Sequence, residues 1–313
     1  MSLALFACLA SVQSLSALPE GEKGIARRYP GDFGIERDGA VIFHDDFESG
    51  LPEEKWDNLF QRHCYRMATE AANVHGGKRS LEFWVPKQEG ELSNAVVKVF
   101  DKGYDTVFLR YYSRFDSGFD QTGSSHNGGF LAALSPGLPF ATPGVKADGR
   151  NKFIASFENW REDEDPKPSP GELNVYCYHP EQRSVWGDHF FPSGTVLPYT
   201  YMPGDFGPSF VKRADVIQKL GQWYCYELMV RANTPGKRDG RIACWLDGKL
   251  IADFPNLRLR DVASLKINHA ALDLHIGSNR VRENKKWYDD VVIATSYIGP
   301  VTSLTPSSSP RRG

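Results

Sequence analysis

The chain has little cysteine, no strong excess of charge and no long hydrophobic run, and each lack argues against a class of protein. Its 313 residues contain 5 cysteines, none of them in a Cys-x-x-Cys pair, so the sequence does not indicate a zinc site. The formal net charge of -2 provides no basic field to hold nucleic acid. No apolar run reaches the roughly 20 residues needed to cross a bilayer, so we expect no membrane partner.

Turn-forming and aromatic residues are plentiful instead: there are 29 glycines and 20 prolines, and 12% of the chain is aromatic. Short runs of β-forming residues alternate with turn signals, which predicts an all-β sandwich or barrel. Only residues 211–220 carry apolar side chains at helical spacing, and there we predict a helix. Two long loops, at 117–150 and 187–209, interrupt the strands, and loops of that length are usually functional or disordered.

The two ends of the chain differ in composition from its centre. A short apolar run at residues 3–12, followed by small residues, predicts a signal peptide over residues 1–17, although no Lys or Arg precedes Lys23. We therefore expect a secreted or periplasmic protein. Residues 18–40 form a polar lead-in, 41–300 a single β domain, and 301–313 a polar tail that we predict to be disordered. We expect the protein to be a monomer.

One predicted strand carries an amide and two phenols on a single face. In residues 172–179 (Glu-Leu-Asn-Val-Tyr-Cys-Tyr-His), side chains alternate between the two faces of the sheet. Asn174, Tyr176 and Tyr178 then lie opposite the apolar set, as they would on the floor of a binding groove. The alternative is that both tyrosines are amphipathic core residues whose hydroxyls are satisfied at the rim of the core.

Two other predicted strands carry polar faces. Residues 153–160 place Ser156, Glu158 and Trp160 together, and the indole could stack on a sugar ring. Residues 106–115 place a second set on one face, and its positive charge would suit an acidic polymer; the alternative is a solvated outer face. That set is Arg110, Tyr112 and Arg114.

Three histidines are further candidates for the same groove. His126 and Asn127 lie in the glycine-rich segment 123–129, where glycines let the backbone approach a ligand. His179 ends the tyrosine strand, and His275 alternates with apolar neighbours. The alternatives are a histidine exposed on a loop for His126 and a hydrogen-bonded core histidine for His275.

Several stretches together resemble concanavalin A-like jelly rolls. Residues 43–50 (Phe-His-Asp-Asp-Phe-Glu-Ser-Gly) are similar to the opening strand of that fold, and residues 76–83 to the strand that follows. Residues 223–250 read as a strand, a turn and a hairpin, and residues 287–293 (Trp-Tyr-Asp-Asp-Val-Val-Ile) resemble the closing strand. The resemblance covers most of residues 41–298 and implies a two-sheet antiparallel sandwich.

Within that fold, the chain resembles the polysaccharide lyases of the alginate and glucuronan type. The run 110–115 (Arg-Tyr-Tyr-Ser-Arg-Phe), the segment 126–130 (His-Asn-Gly-Gly-Phe) and the Tyr-x-Tyr strand occur in the order that those enzymes use. The resemblance implies β-elimination on an acidic, uronate-containing polysaccharide. Such an enzyme neutralises the uronate carboxylate, removes the neighbouring proton and protonates the leaving oxygen.

The resemblance also implies a role for each candidate residue. Tyr178 or Tyr176 would be base and acid, His126 would handle protons or neutralise charge, and Arg110 would clamp the carboxylate. The remaining candidates would bind substrate: Tyr112, Arg114, Asn127, Glu158, Trp160, Asn174, His179 and His275. No metal or organic cofactor is required.

Clustered carboxylates on the first and last predicted strands leave one cofactor question open. A structural calcium ion could bind there, and hydrogen bonding within loops is the alternative. The carboxylates belong to Asp45, Asp46, Asp289 and Asp290.

Two other function classes remain open. A non-catalytic carbohydrate-binding domain would use the same aromatic groove without the tyrosine hydroxyls. A glycoside hydrolase is the third reading, and it needs two placed carboxyl groups that no strand presents as a pair.

Overall fold

The computed structural model describes residues 17–123, 125–140, 142–162, 166–182, 184–197, 211–277 and 282–303. Most of the predicted signal peptide and of the predicted disordered tail lies outside the described residues. So does much of the predicted loop 187–209, from residue 198 onward.

The described residues form seventeen strands. These are β1 Val41–Asp45, β2 Asn58–Phe60, β3 Tyr65–Ala68, β4 Ser80–Val85, β5 Leu92–Tyr104, β6 Thr106–Phe115, β7 Ser125–His126, β8 Gly129–Leu134, β9 Lys152–Trp160, β10 Glu172–Tyr178, β11 Asp188–Phe190, β12 Val196–Leu197, β13 Trp223–Arg231, β14 Gly240–Leu246, β15 Lys249–Leu257, β16 Ile267–Ile276 and β17 Asn284–Ala294.

Helical structure in the described part of the chain is limited to six single-turn 3₁₀ helices. They span Ile25–Arg28, Pro30–Asp32, Ile35–Arg37, Pro52–Glu54, Arg62–Cys64 and Ala71–Asn73. None is long and apolar enough to cross a membrane.

The predicted helix at 211–220 is wrong. The segment runs along both sheets, and its backbone groups form hydrogen bonds with strands of each. Val211 bridges Asp253, and the Val216 carbonyl accepts the Leu173 amide at 2.9 Å. Those long-range hydrogen bonds replace the local ones that a helix would need.

Two antiparallel sheets pack face to face, as predicted for a jelly roll. The first, here called the back sheet, has the order β15-β14-β13-β6-β17-β4-β3, with β1 paired to β17. The second, here called the groove sheet, has the order β12-β11-β10-β9-β8-β16-β5-β2, with β7 paired to β16. Their facing sides share one core, to which β10 contributes Leu173, Val175 and Cys177. The predicted alternation along β10 is therefore confirmed.

The described cysteines are core residues. Cys64, Cys177, Cys225 and Cys244 are free thiols with buried side chains. Burial raises the pKa of each thiol, which keeps it protonated. They behave as small apolar residues rather than as cross-links.

The outer face of the back sheet is covered by both ends of the described chain. Ile25 and Ile35 from the lead-in are buried in a second apolar cluster on this face. The Trp245 indole donates to the Pro19 carbonyl at 2.8 Å. From the other end, the Ile298 amide donates to the Glu227 carboxylate at 2.7 Å. The outer face of the groove sheet is the one left open to a ligand.

Candidate active site

A groove of about 820 Å³ lies on the outer face of the groove sheet. Cross-strand register brings its polar side chains together, because His126 of β7 pairs with His275 of β16, and Tyr176 of β10 pairs with both Ser156 and His189. The polar lining comprises Glu91, Ser93, Asn94, Ser125, His126, Thr142, Lys152, Ser156, Trp160, Tyr176, Tyr178, His189, Asp273 and His275.

A histidine and a glutamate form an ion pair at the groove floor. The His126 Nδ1 lies 3.0 Å from the Glu158 Oε2, and the Ser156 hydroxyl donates to the same oxygen at 2.8 Å. Burial disfavours the imidazolium, but the adjacent Glu158 carboxylate outweighs it and raises the pKa of His126 to about 9. His126 is therefore a cation at neutral pH. Its side chain is 32% exposed, so the cation faces the groove.

The two tyrosines of β10 line the groove as predicted. The Tyr176 ring lies between His126 and His189, at 4.8 Å from each ring centroid. Its hydroxyl accepts the Gly187 amide at 2.9 Å and donates to the Tyr178 hydroxyl at 3.4 Å. Burial raises the pKa of both phenols above the ordinary value. They are protonated at neutral pH, which suits a proton donor better than a base.

His189 presents a neutral imidazole whose tautomer is set by its partner. The Asn174 amide nitrogen lies 3.3 Å from the Glu158 carbonyl, so its oxygen faces the His189 Nδ1 at 2.9 Å. Because that oxygen only accepts, the Nδ1 carries the proton and the Nε2 has a free lone pair. Burial and the nearby His126 charge lower the pKa of His189 to about 3. His189 is therefore neutral at neutral pH, and its imidazole stays a weak base until a bound anion balances the His126 charge.

Trp160 and His275 lie at the polar end of the groove. The Trp160 ring packs 4.9 Å from the His189 ring. The His275 Nδ1 makes a 2.5 Å hydrogen bond with the Ser93 hydroxyl, and its ring lies 5.3 Å from the His126 ring. Both residues line the groove at the positions expected from strand alternation.

Asn127 and His179 are buried structural residues and do not line the groove. The Asn127 side chain holds the Asn159 backbone from both sides, as donor at 2.9 Å and as acceptor at 2.9 Å. The His179 Nε2 pairs with the buried Asp188 carboxylate at 2.7 Å. Placing these two side chains among the substrate contacts was therefore wrong. They position the neighbouring His126 and the end of β10.

The predicted arginine face lies on the other sheet. β6 belongs to the back sheet, where Arg110 is fully buried and forms an ion pair with Asp32 of the lead-in. The Tyr112 hydroxyl accepts the Val301 amide, and Arg114 donates to the Gly221 carbonyl at 2.9 Å. Placing Arg110, Tyr112 and Arg114 in the groove was wrong, because β6 belongs to the back sheet and their partners lie on its outer face.

Three charged or titratable groove residues, His189, Lys152 and Asp273, are not among the site residues predicted from the sequence. His189 lies in the predicted loop 187–209, and its pairing with Tyr176 is visible only in the sheet register. Lys152 is buried, with its Nζ 2.9 Å from the Thr142 carbonyl and 3.8 Å from the Tyr178 ring centroid. Asp273 accepts the Gly128 amide at 3.1 Å, and burial raises its pKa to about 7. Strict alternation along β9 and β16 was the available signal for the last two.

The aspartates considered for calcium make hydrogen bonds to protein donors. Asp45 accepts from the Trp56 indole at 2.8 Å and from the Lys55 ammonium at 2.9 Å. Asp289 accepts the His75 amide at 2.9 Å. Across the described ranges, no group of three His, Cys, Asp or Glu side chains is arranged to hold a metal ion. Calcium binding stays a prediction.

A two-sheet β sandwich with an open groove of aromatic and titratable side chains offers a surface on which a saccharide chain can bind. The profile of the family Polysaccharide lyase 14 matches residues 67–282, more than half of the chain. The chain belongs to this family and is a polysaccharide lyase. No curated protein sequence matches the chain.

Solved structures with the same fold include several lyases. An alginate lyase from a Chlorella virus superposes with a TM-score of 0.57 at 15% identity, covering 82% of this chain and 100% of that one. The alginate lyase Aly36B in complex with an alginate tetrasaccharide gives 0.55 at 17% identity, covering 82% and 95%. An endo-beta-1,4-glucuronan lyase from the fungus Trichoderma reesei gives 0.52 at 14% identity, covering 82% and 96%. At these identities the likeness establishes the fold.

Proposed function

We propose that the enzyme cleaves a uronate-containing polysaccharide by β-elimination in the groove. One observation carries the proposal: a protonated phenol, Tyr176, lies between an imidazolium, His126, and a neutral imidazole, His189, on one groove floor. Those are the three kinds of group that the reaction needs. The alginate and glucuronan lyases of the same fold act on polymers of this class.

The His126 imidazolium neutralises the uronate carboxylate. With its Nδ1 held by Glu158, its Nε2–H points away from that pair and makes no hydrogen bond to any described residue. A carboxylate bound there loses part of its negative charge, which makes the proton on the adjacent carbon more acidic. The sequence-based clamp, Arg110, is replaced in this role by a histidine.

His189 accepts the proton and Tyr176 supplies one to the leaving group. The Nε2 lone pair of His189 takes the proton from C5, the C5–H electrons form the C4–C5 double bond, and the bond from C4 to the bridging oxygen breaks. The Tyr176 hydroxyl donates its proton to that oxygen, and the phenolate is neutralised as the His189 proton returns through solvent. Tyr178 supports the donor through the hydroxyl–hydroxyl contact.

Ultraviolet absorbance of unsaturated uronate ends tests this function. We expect the wild-type enzyme to produce the signal from at least one polymer in a panel of uronic-acid polysaccharides. Tyr176→Phe should lower kcat about 100-fold or more, since it removes the acid alone. Tyr224→Phe is the matched control, because Tyr224 belongs to β13 of the back sheet and its hydroxyl donates to Gln222. Binding without any signal would support the non-catalytic domain, and new reducing ends without the signal would support a hydrolase.

We also propose that the enzyme is exported and acts as a monomer. The apolar run and small residues at the N-terminus support export. Cell fractionation and sizing of the purified protein test both points. A protein retained in the cytoplasm, or a stable dimer in sizing, would contradict them.

A further inference from the structure

One buried ammonium of the groove is held only by neutral groups. Lys152 begins β9, and its Nζ donates to the Thr142 carbonyl at 2.9 Å and to the Thr142 hydroxyl oxygen at 2.5 Å. The Nζ also lies 3.8 Å from the Tyr178 ring centroid. Burial lowers the pKa of Lys152 to about 8, with no contribution from a carboxylate of the described residues. A buried cation without a counter-charge is costly, so an anionic group of the substrate would complete this site.

The Thr142 hydroxyl is the group that such an anion would meet. An ammonium only donates, so the Thr142 Oγ1 accepts from Lys152 and its own proton is left for another acceptor. No described group takes that proton, and Thr142, which is 8% exposed, lines the groove. A carboxylate oxygen there would accept from the hydroxyl with the Lys152 charge directly behind it. Lys152, which is fully buried, therefore acts on the substrate through Thr142.

The position of this pair matches the sugar next to the cleaved uronate. Tyr178 packs on Tyr176 at 5.5 Å between centroids, and the Tyr176 ring lies 4.8 Å from the His126 ring on its other side. In the proposed reaction the uronate carboxylate binds His126 and the bridging oxygen lies at Tyr176. The sugar beyond that oxygen, on the leaving-group side, then lies over Tyr178 and Lys152.

An exposed indole lies at the same end of the groove. Trp186 is 53% exposed and lines the groove, and a Cβ on Gly144 would lie 4.0 Å from its ring. The Gln182 Nε2 donates to the Trp186 carbonyl at 2.8 Å, and the next residue, Gly187, donates its amide to the Tyr176 hydroxyl at 2.9 Å. The loop thus holds the indole beside the proposed acid, where it can stack on the apolar face of a sugar.

We infer that Lys152, Thr142 and Trp186 form a second uronate subsite, which binds the sugar on the leaving-group side of the cleaved bond. Thr142 contacts its carboxylate, Lys152 supplies the positive charge, and Trp186 stacks on the ring. This inference rests on the proposed function and adds to it the residues that select for two consecutive uronates.

Two polymers of the same linkage test the subsite: the polyuronate cleaved fastest in the panel, and the same polymer after part of its carboxyl groups has been reduced to alcohols. Lys152→Met removes the charge and keeps the length of the side chain. We expect it to raise KM on the polyuronate about tenfold or more with little change in kcat, because a charge-assisted contact is lost. On the reduced polymer the rise should be smaller, since fewer neighbouring sugars carry a carboxylate. An equal rise on both polymers would overturn the inference.

Thr142→Val removes the hydroxyl from a side chain of nearly the same shape, and it keeps the inference testable if Lys152→Met does not fold. It should raise KM on the polyuronate several-fold. Lys249→Met, at an exposed position of β15 in the back sheet, is the matched control and should leave KM unchanged. A normal KM in Thr142→Val would contradict the subsite.

Binding to the Tyr176→Phe variant separates the subsite from the proposed function. Calorimetric titration with a uronate tetrasaccharide measures Kd without cleavage. Adding Lys152→Met should raise Kd about tenfold or more, and adding Trp186→Ala about two- to tenfold. Binding that depends on Lys152 in an enzyme that releases no unsaturated products would support the subsite and contradict the proposed function. An unchanged Kd after both Lys152→Met and Thr142→Val would overturn the subsite.

Discussion

Each sheet carries a cation–carboxylate pair on its outer face. One pair faces the open groove, and the other is buried under the lead-in. On the groove sheet, His126 binds the buried Glu158, and its own side chain is 32% exposed. On the back sheet, Arg110 binds Asp32, and the two side chains are only 0% and 5% exposed because the lead-in lies over them. The alternating pattern is the same in β6 and in β9. What covers a strand therefore decides whether its polar face can bind a ligand.

We expect the largest effect from a substitution at His189 on the groove sheet. His189→Ala removes the proposed proton acceptor and should lower kcat about 100- to 10,000-fold. The fold should persist, because His189 is only half-buried at a short strand near the sheet edge. Steady-state kinetics measures kcat, and thermal unfolding measures whether the fold persists. His63→Ala is the control, because His63 is an exposed histidine. A nearly normal kcat would rule His189 out as the base.

On the back sheet we expect a substitution at Arg110 to lower the stability of the fold instead. Arg110→Met leaves the buried Asp32 carboxylate without its cation and should cost about 3–5 kcal/mol in the free energy of unfolding. Activity per folded molecule should stay near that of the wild type, because the pair lies on the face remote from the groove. Denaturant unfolding and kinetics at low temperature separate the two quantities. A variant that kept its stability but lost kcat would place Arg110 in the reaction after all.

We expect kcat/KM to depend on pH, because His126 must be charged to neutralise the substrate carboxylate. Its pKa is raised, so the imidazolium is present below about 9 and is lost as the pH rises through that value. The value of kcat/KM should therefore fall about tenfold per pH unit above that point. Glu158→Gln removes the main cause of the raised pKa, so the falling limb should move to lower pH. A limb at the same pH in that variant would assign the titration to another group.

We expect the smallest effect from the loss of the Trp160 ring, which lines the groove. Trp160→Ala should raise KM about two- to tenfold with little change in kcat, since an aromatic ring contributes roughly 0.5–1.5 kcal/mol to such a contact. Phe33→Ala, on the covered side of the molecule, should change neither parameter. A fall in kcat without a change in KM would mean that the indole acts on the reacting groups, for instance through its contact with His189.

Strand alternation alone located half of the active site. Asn174, Tyr176 and Tyr178 face away from the core because the two-residue period is a local property of any strand. The same rule placed Arg110, Tyr112 and Arg114 on one face of β6 but could not say to which sheet β6 belongs, which depends on pairing with the distant strands β13 and β17.

The remaining errors also come from long-range contacts. The importance of His189 rests on its register with Tyr176 and on the orientation of Asn174, neither of which has a local signal. In residues 211–220, helical spacing of apolar side chains was outweighed by backbone hydrogen bonds to strands of both sheets.

A crystal structure of Tyr176→Phe with a bound uronate oligosaccharide would show which groove residues hold the substrate. We expect a sugar carboxylate within hydrogen-bonding distance of the His126 Nε2, with the adjacent C5–H facing the His189 Nε2. An oligosaccharide bound with its carboxylates away from His126, or seated on the back sheet, would contradict this expectation.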